Sequence, residues 1–148
     1  MARLIIVRHG NTFDKGDTVT RVGGRTDLPL SASGLAQADA LANHFADTRF
    51  VAAFCSPLMR TRQTARAMIG MHTGAPALIV LRSLLERAAG LNAEDTALIV
   101  TSNGIARFLP DVVDVQPDDL DRKLKTGAWG VVEVDGTTSR ITSWNQRP

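Results

Sequence analysis

A chain of 148 residues, 44% apolar and 22% charged, suits one globular domain over 1–148 and excludes a disordered or fibrous polypeptide. The formal net charge is only +2, arginine outnumbers lysine, and no basic stripe runs along the sequence. That balance argues against nucleic acid as a partner and for a small anion, because the planar guanidinium fork grips anionic oxygens in pairs. No apolar run reaches the ~20 residues that cross a bilayer, and Met1 to Val7 runs into Arg8-His9 without the pattern of a signal peptide, so the expectation is a cytoplasmic protein with no membrane partner. Cys55, the one cysteine, cannot build an internal disulfide framework or a cysteine-based metal cluster.

In chain order, Leu4-Ile5-Ile6-Val7 is a short β-branched apolar run and reads as a buried central strand. Asn11 to Pro29 is polar and glycine-rich, a long loop of the kind that carries function. Ser31 then caps a helix running to about Asp47, with Leu35, Ala38, Leu41, Ala42 and Phe45 as its apolar stripe. Val51 to Cys55 is a second strand, and Ser56-Pro57 opens a second helix that stops at Gly70. Ala77 to Leu81 and Ala97 to Thr101 are further strands, and a short helix over Ile105 to Leu109 precedes Pro110. Val131 to Val134 and Ser139 to Ile141 form a hairpin turned at Asp135-Gly136. Strands alternating with helices predict a three-layer α/β/α sandwich with a mostly parallel central sheet, completed by a C-terminal hairpin or antiparallel edge strand.

Three strand ends deliver polar residues to what should be one edge of that sheet, where ligands of open α/β sheets bind. The first gives Arg8, His9, Asn11 and Thr12, the second Arg60, and the fourth Ser102 and Asn103, with Glu86 shortly after the third. Two arginines, an imidazole and a helix N-terminus make a pocket for a dianion. Arg62 and Arg66 read as a solvated helix face, Arg21 and Arg25 as loop residues or substrate clamps, and Trp129 and Trp144 as packing residues. A cysteine-phosphatase loop is excluded, because the residue six after Cys55 is Thr61 and Arg60 falls one place early.

The same residues carry a resemblance. Arg8-His9-Gly10-Asn11-Thr12 resembles the Arg-His-Gly signature of the histidine phosphatase superfamily, in its phosphoglycerate-mutase-like branch. Gly24-x-x-Asp27-x-Pro29-Leu30-Ser31-x-x-Gly34-x-x-Gln37-Ala38, Ser56-Pro57-Leu58-x-Arg60-Thr61-x-Gln63-Thr64-Ala65 and Leu84-x-Glu86-x-x-x-Gly90 resemble its next three blocks, in order. The resemblance implies a phosphatase acting on a phosphomonoester or phosphohistidine, carried by a phosphorylated small molecule or a phosphoprotein. In that chemistry His9 attacks phosphorus, Arg8 and Arg60 hold the phosphoryl oxygens, and Glu86 protonates the leaving oxygen, with neither metal nor cofactor. By its position alone Glu86 also fits a helix-surface carboxylate. Asn11 and Thr12 either touch the ligand or cap their loop.

Two features depart from the family pattern. Ser102-Asn103-Gly104 stands where the family places a Ser-His-Gly-like motif, so Asn103 replaces a second histidine, and His44 and His72 sit away from the strand ends. Asn103 either donates its amide to phosphate or satisfies a turn at positive φ before Gly104. Only Arg87 to Thr96 separates Glu86 from the fourth strand, which predicts an open, shallow pocket. Reduced turnover follows as an expectation, with a catalytically impaired phosphate-binding or regulatory module as its alternative.

Overall fold

Leu4 to Val7 lies at the centre of β1 (Ala2–Arg8) in the computed structural model, which describes residues 1–20, 26–70, 74–80 and 91–148, with Val80 by its backbone only. β1 pairs in parallel with β4 (Thr96–Thr101) and antiparallel with β5 (Trp129–Asp135). With β2 (Ala52–Cys55), β3 (Leu78–Val80) and β6 (Thr138–Gln146), the described strands form a six-stranded sheet of order β3-β2-β4-β1-β5-β6. The first four are mutually parallel and point their carboxyl ends at one edge, as the sequence predicts. The hairpin turns at Gly136, whose φ of 60° is a conformation that glycine adopts without steric cost. Its strands are longer than the apolar runs imply. Polar Ser143, Asn145 and Gln146 still belong to β6, and β5 bonds it along its backbone at Trp129↔Gln146 and Val131↔Ser143.

Helix α1 (Ala32–His44) starts as expected. Ser31 Oγ accepts the Gly34 N–H at 3.2 Å. Its buried face differs from the expected stripe. Leu35 is 49% exposed and Gly34 is buried in its place, while Ala38, Leu41, Ala42 and Phe45 are buried as expected. The helix is rotated by a close backbone approach: a Cβ on Gly34 would lie 2.0 Å from the Asn11 carbonyl oxygen, and one on Gly10 would lie 2.5 Å from the Gly34 carbonyl oxygen. Two glycines thus let the start of α1 rest on the turn after β1. The helix also stops at His44 rather than Asp47, because Thr48 N–H turns back to the Phe45 carbonyl at 2.9 Å.

Helix α2 spans Met59–Ile69, so it begins after Ser56-Pro57 rather than at it. Its cap comes from a distant loop: Asp27 Oδ1 accepts the Met59 N–H at 2.5 Å, while Ser56 Oγ is engaged with Thr61 Oγ1 at 2.9 Å. Both α1 and α2 cover one face of the sheet, around Leu41, Met68, Val7, Leu98 and Val100. Cys55 is buried in this cluster, and burial pushes its thiol pKa up, as suits a structural rather than a reactive cysteine.

The opposite face, with Leu4, Ile6, Ile99 and Ile141, has a thin cover. It consists of α3 (Asn103–Ala106), a 3₁₀ turn over Leu109–Asp111, and the following loop, which buries Leu124. The short helix therefore begins earlier than expected and ends before Leu109. Pro110 lies inside the 3₁₀ turn, where a missing N–H costs little because the first N–H groups of a helix have no internal acceptor. The tryptophans pack as predicted, Trp129 against the first cluster and Trp144 in the second. No helix among the described residues is long and apolar enough to cross a membrane.

Candidate active site

Two neighbours hold the end of β1 in place. His9 N–H donates to the Thr101 carbonyl at 3.1 Å, and Gly127 N–H donates to the Arg8 and His9 carbonyls at 3.2 and 3.1 Å. The His9 ring is buried, with 6% of the residue exposed. Its Nδ1 lies 2.6 Å from the Gly10 carbonyl oxygen, an acceptor only, so Nδ1 carries the hydrogen and donates it. Nε2 then presents its lone pair, and Arg60 Nε donates to it at 3.2 Å. Burial holds the imidazole pKa down at about 4, helped by the charges of Arg60 and Arg8 and opposed by the Gly10 carbonyl. At neutral pH His9 is therefore an uncharged ring with its nucleophilic nitrogen directed toward a guanidinium.

This shift has a measurable consequence. The unfolded chain holds His9 near the ordinary 6.5, so above that pH both states are neutral and the contribution to stability is complete. As pH falls toward 4 the unfolded state takes up a proton that the folded state refuses, and about 3 kcal/mol is lost. Urea unfolding at pH 7 and pH 4 should show wild type losing about that much more stability than His9→Gln. Equal losses would mean that the ring is not held neutral.

Arg60 stands in the first turn of α2, only 3% exposed, and its Nη1 donates to the Thr26 carbonyl at 2.7 Å. Thr64, one turn on, donates its hydroxyl to the Arg60 carbonyl at 2.9 Å and accepts the Gly10 N–H at 3.2 Å. One hydroxyl thereby ties the helix that carries Arg60 to the turn that carries His9. Arg8 Nη1 donates to the Leu124 carbonyl at 2.8 Å, and its buried Nε has no hydrogen-bond partner among the described residues. Burial lowers the pKa of both arginines, and Arg60 lowers that of Arg8 further.

Around these groups lies a cleft of about 520 Å³, walled by Arg8, His9, Arg60, Asn11, Asn103 and Thr126, with Thr12 and Ser102 at the same cleft. No carboxylate is among its described lining residues. The Asp27 carboxylate opposes the effect of burial at Arg60, yet the described lining itself offers two desolvated cations and no carboxylate, which favours a ligand that brings negative charge.

Asn11 is both lining residue and organiser. Its Nδ2 donates to Ser33 Oγ at 3.1 Å, its Oδ1 accepts from Thr126 Oγ1 at 2.5 Å, and its N–H donates to Gln37 Oε1 at 2.8 Å. Asn103 is the first residue of α3, and its Oδ1 accepts the Leu124 N–H at 2.9 Å. The positive-φ alternative for Asn103 is corrected: among the described non-glycine residues that conformation falls on Asn145. His44 stacks on Trp129 at 5.3 Å and is absent from the cleft lining. Glu86, Arg21, Arg25 and His72 lie outside the described residues.

Thr64, Gln37, Leu124 and Thr126 are site residues that the sequence did not single out as such. Thr64 and Gln37 stand inside the quoted blocks, which is the signal that marks them. Leu124 and Thr126 carry no motif and reach the site only through folding. Among the described residues no group of three or more histidine, cysteine or carboxylate side chains comes together to hold a metal.

Fold and site together define an α/β protein with a cleft built on a neutral histidine and two arginines. The chain belongs to the histidine phosphatase superfamily (branch 1), whose family model matches residues 4–91. Over 71 residues it is 42% identical to "Fructose-2,6-bisphosphatase TIGAR" of Xenopus tropicalis. That stretch is 47% of this chain and 26% of the relative, so the chain covers about a quarter of the curated relatives it matches. Among solved structures, Bacillus stearothermophilus YhfR superposes with a TM-score of 0.78 at 18% identity, covering 100% of this chain and 98% of that one. The alpha-ribazole phosphatase from Shigella flexneri gives 0.72 at 17% identity, covering 98% and 96%. These two likenesses show a shared fold.

Proposed function

We propose that this protein is a phosphatase that hydrolyses a phosphomonoester or phosphohistidine through a phosphorylated His9, with turnover reduced by Asn103. The observation that carries this reading is the His9–Arg60 pair, with Nε2 unprotonated and 3.2 Å from a guanidinium nitrogen in an anion cleft. A phosphoryl group entering the cleft takes over the Arg60 N–H from Nε2, which puts phosphorus in front of Nε2 and its oxygens against Arg60 and Arg8. Nε2 forms the P–N bond as the bond to the leaving oxygen breaks. Glu86, in the family role, gives that oxygen its proton. Water then attacks phosphorus and gives a proton back to the Glu86 carboxylate, the P–N bond breaks, and inorganic phosphate leaves with His9 neutral again. The two arginines compensate the charge that builds on the equatorial oxygens. Asn11, Thr12 and Asn103 serve as further substrate contacts.

The substrate class is a phosphorylated small molecule or phosphoprotein, met in the cytoplasm by one histidine-phosphatase domain spanning 1–148. Asn103 also favours a second reading, a regulatory module that binds phosphate without useful turnover. Incubation with acetyl phosphate or an aryl phosphate separates the two. An acid-labile, base-stable phosphoryl adduct on His9, with product release, is the expected result. Phosphate binding without an adduct supports the module, and absence of both overturns the shared reading.

A further inference from the structure

Beside the phosphate cleft, on the thinly covered face of the sheet, runs a second groove of about 400 Å³. Its floor is Leu4 and Ile6 of β1 and Ile99 of β4, and its rim is Ile105, Phe108 and Val112. The rim residues are exposed at 42%, 53% and 53%, a concentration of large apolar side chains in water that a solvated loop does not call for. Arg107 sits over the Phe108 ring at 4.8 Å and braces it at this edge.

Two independent observations point to a ligand here. Thr101 lines the groove, is 1% exposed, and its Oγ1 has no hydrogen-bond partner among the described residues. A buried hydroxyl left unpaired costs stability, and a ligand atom in the groove is placed to relieve that. The second observation is continuity. Thr101 faces the groove, Ser102 and Asn103 face the cleft, and Gly104 belongs to the walls of both. At Gly104 the partition has no side chain, and a Cβ there would meet only Ser102 Oγ at 3.6 Å.

We infer that this groove is a second subsite of the same active site, which takes the apolar body of the phosphorylated substrate. An alkyl or arylalkyl phosphate would put its phosphoryl group at His9 and cross at Gly104. Its chain would then lie along Ile99, Ile6 and Leu4, with one polar atom near Thr101 Oγ1. The described residues of the groove are apolar apart from the Thr101 hydroxyl, which favours an apolar body as the occupant. The inference rests on the phosphate reading of the cleft and adds the chemical class of the leaving group.

Calorimetric titration of the full chain with inorganic phosphate and with a series from methyl to hexyl phosphate tests it. Affinity should rise about two- to fourfold per methylene until the groove is filled. The hexyl-to-methyl affinity ratio should collapse toward one in Ile105→Asp and in Phe108→Asp. Both positions are exposed, and a thermal melt checks folding of each variant, with Val112→Asp as a third. A flat series in a wild type that binds inorganic phosphate overturns the subsite and leaves the phosphate reading standing. An unchanged ratio in all three folded variants overturns it as well. If inorganic phosphate itself does not bind, the phosphate reading fails and takes the subsite with it.

Discussion

His9→Ala is expected to lower kcat/KM toward a generic phosphomonoester by at least ~10³-fold and to abolish the phosphoryl adduct, while inorganic phosphate still binds. The separation of the two effects follows from the geometry. The positive charge of the cleft belongs to Arg8 and Arg60. The imidazole accepts one Arg60 hydrogen bond, but Thr64 and Thr26 still hold Arg60 through its carbonyl and Nη1 when the ring is gone, and Leu124 holds Arg8. Removing the ring deletes the nucleophile and leaves the anion cradle. Retention of more than a tenth of wild-type turnover would rule out a phosphohistidine route. Loss of phosphate binding together with turnover would show that His9 organises the cradle.

Asn103→His is expected to raise turnover by up to ~10²-fold. One preorganised donor to a developing oxyanion is worth ~10²–10³ in rate. The substitution suits the local geometry. Asn103 Oδ1 accepts the Leu124 N–H at 2.9 Å, and the Nδ1 of a histidine occupies much the same position and accepts equally well. Nε2–H is then the group left for the cleft. Steady-state kinetics with an aryl phosphate reads the outcome, and unfolding in urea should show stability within about 1 kcal/mol of wild type. If wild type already turns over at the rate of the variant, Asn103 is no handicap.

Much of the site was legible because its key groups are adjacent in sequence to structure-forming signals. A β-branched run ending in Arg8-His9-Gly10 announces a buried strand whose carboxyl end opens on the cleft. Arg60 follows a Ser-Pro helix opening by a few residues, so its place in the first helical turn survives even though α2 begins at Met59. The apolar period of α1 was read correctly except at Leu35. That miss has a definite cause: periodicity reports which faces are greasy, and the backbone packing at Gly10 and Gly34 decides which face turns inward. The cap of α2 was misassigned for a related reason, since Asp27 lies 32 residues from the Met59 N–H it accepts.

By itself, then, the sequence determined the α/β class, the parallel strands with their carboxyl ends at one edge, the imidazole and two arginines, and membership in the histidine phosphatase superfamily. Each of these is written in a short window, where propensity, period or motif acts on neighbouring residues. Only the tertiary structure decided which His9 nitrogen carries the hydrogen, what Asn103 is bonded to, and that the Leu124 carbonyl anchors Arg8 from 116 residues away. It also decided that an apolar groove shares Gly104 with the phosphate cleft. Such contacts depend on how distant segments pack, and a hydrogen-bond partner brought in from the far end of the chain leaves no local pattern to read.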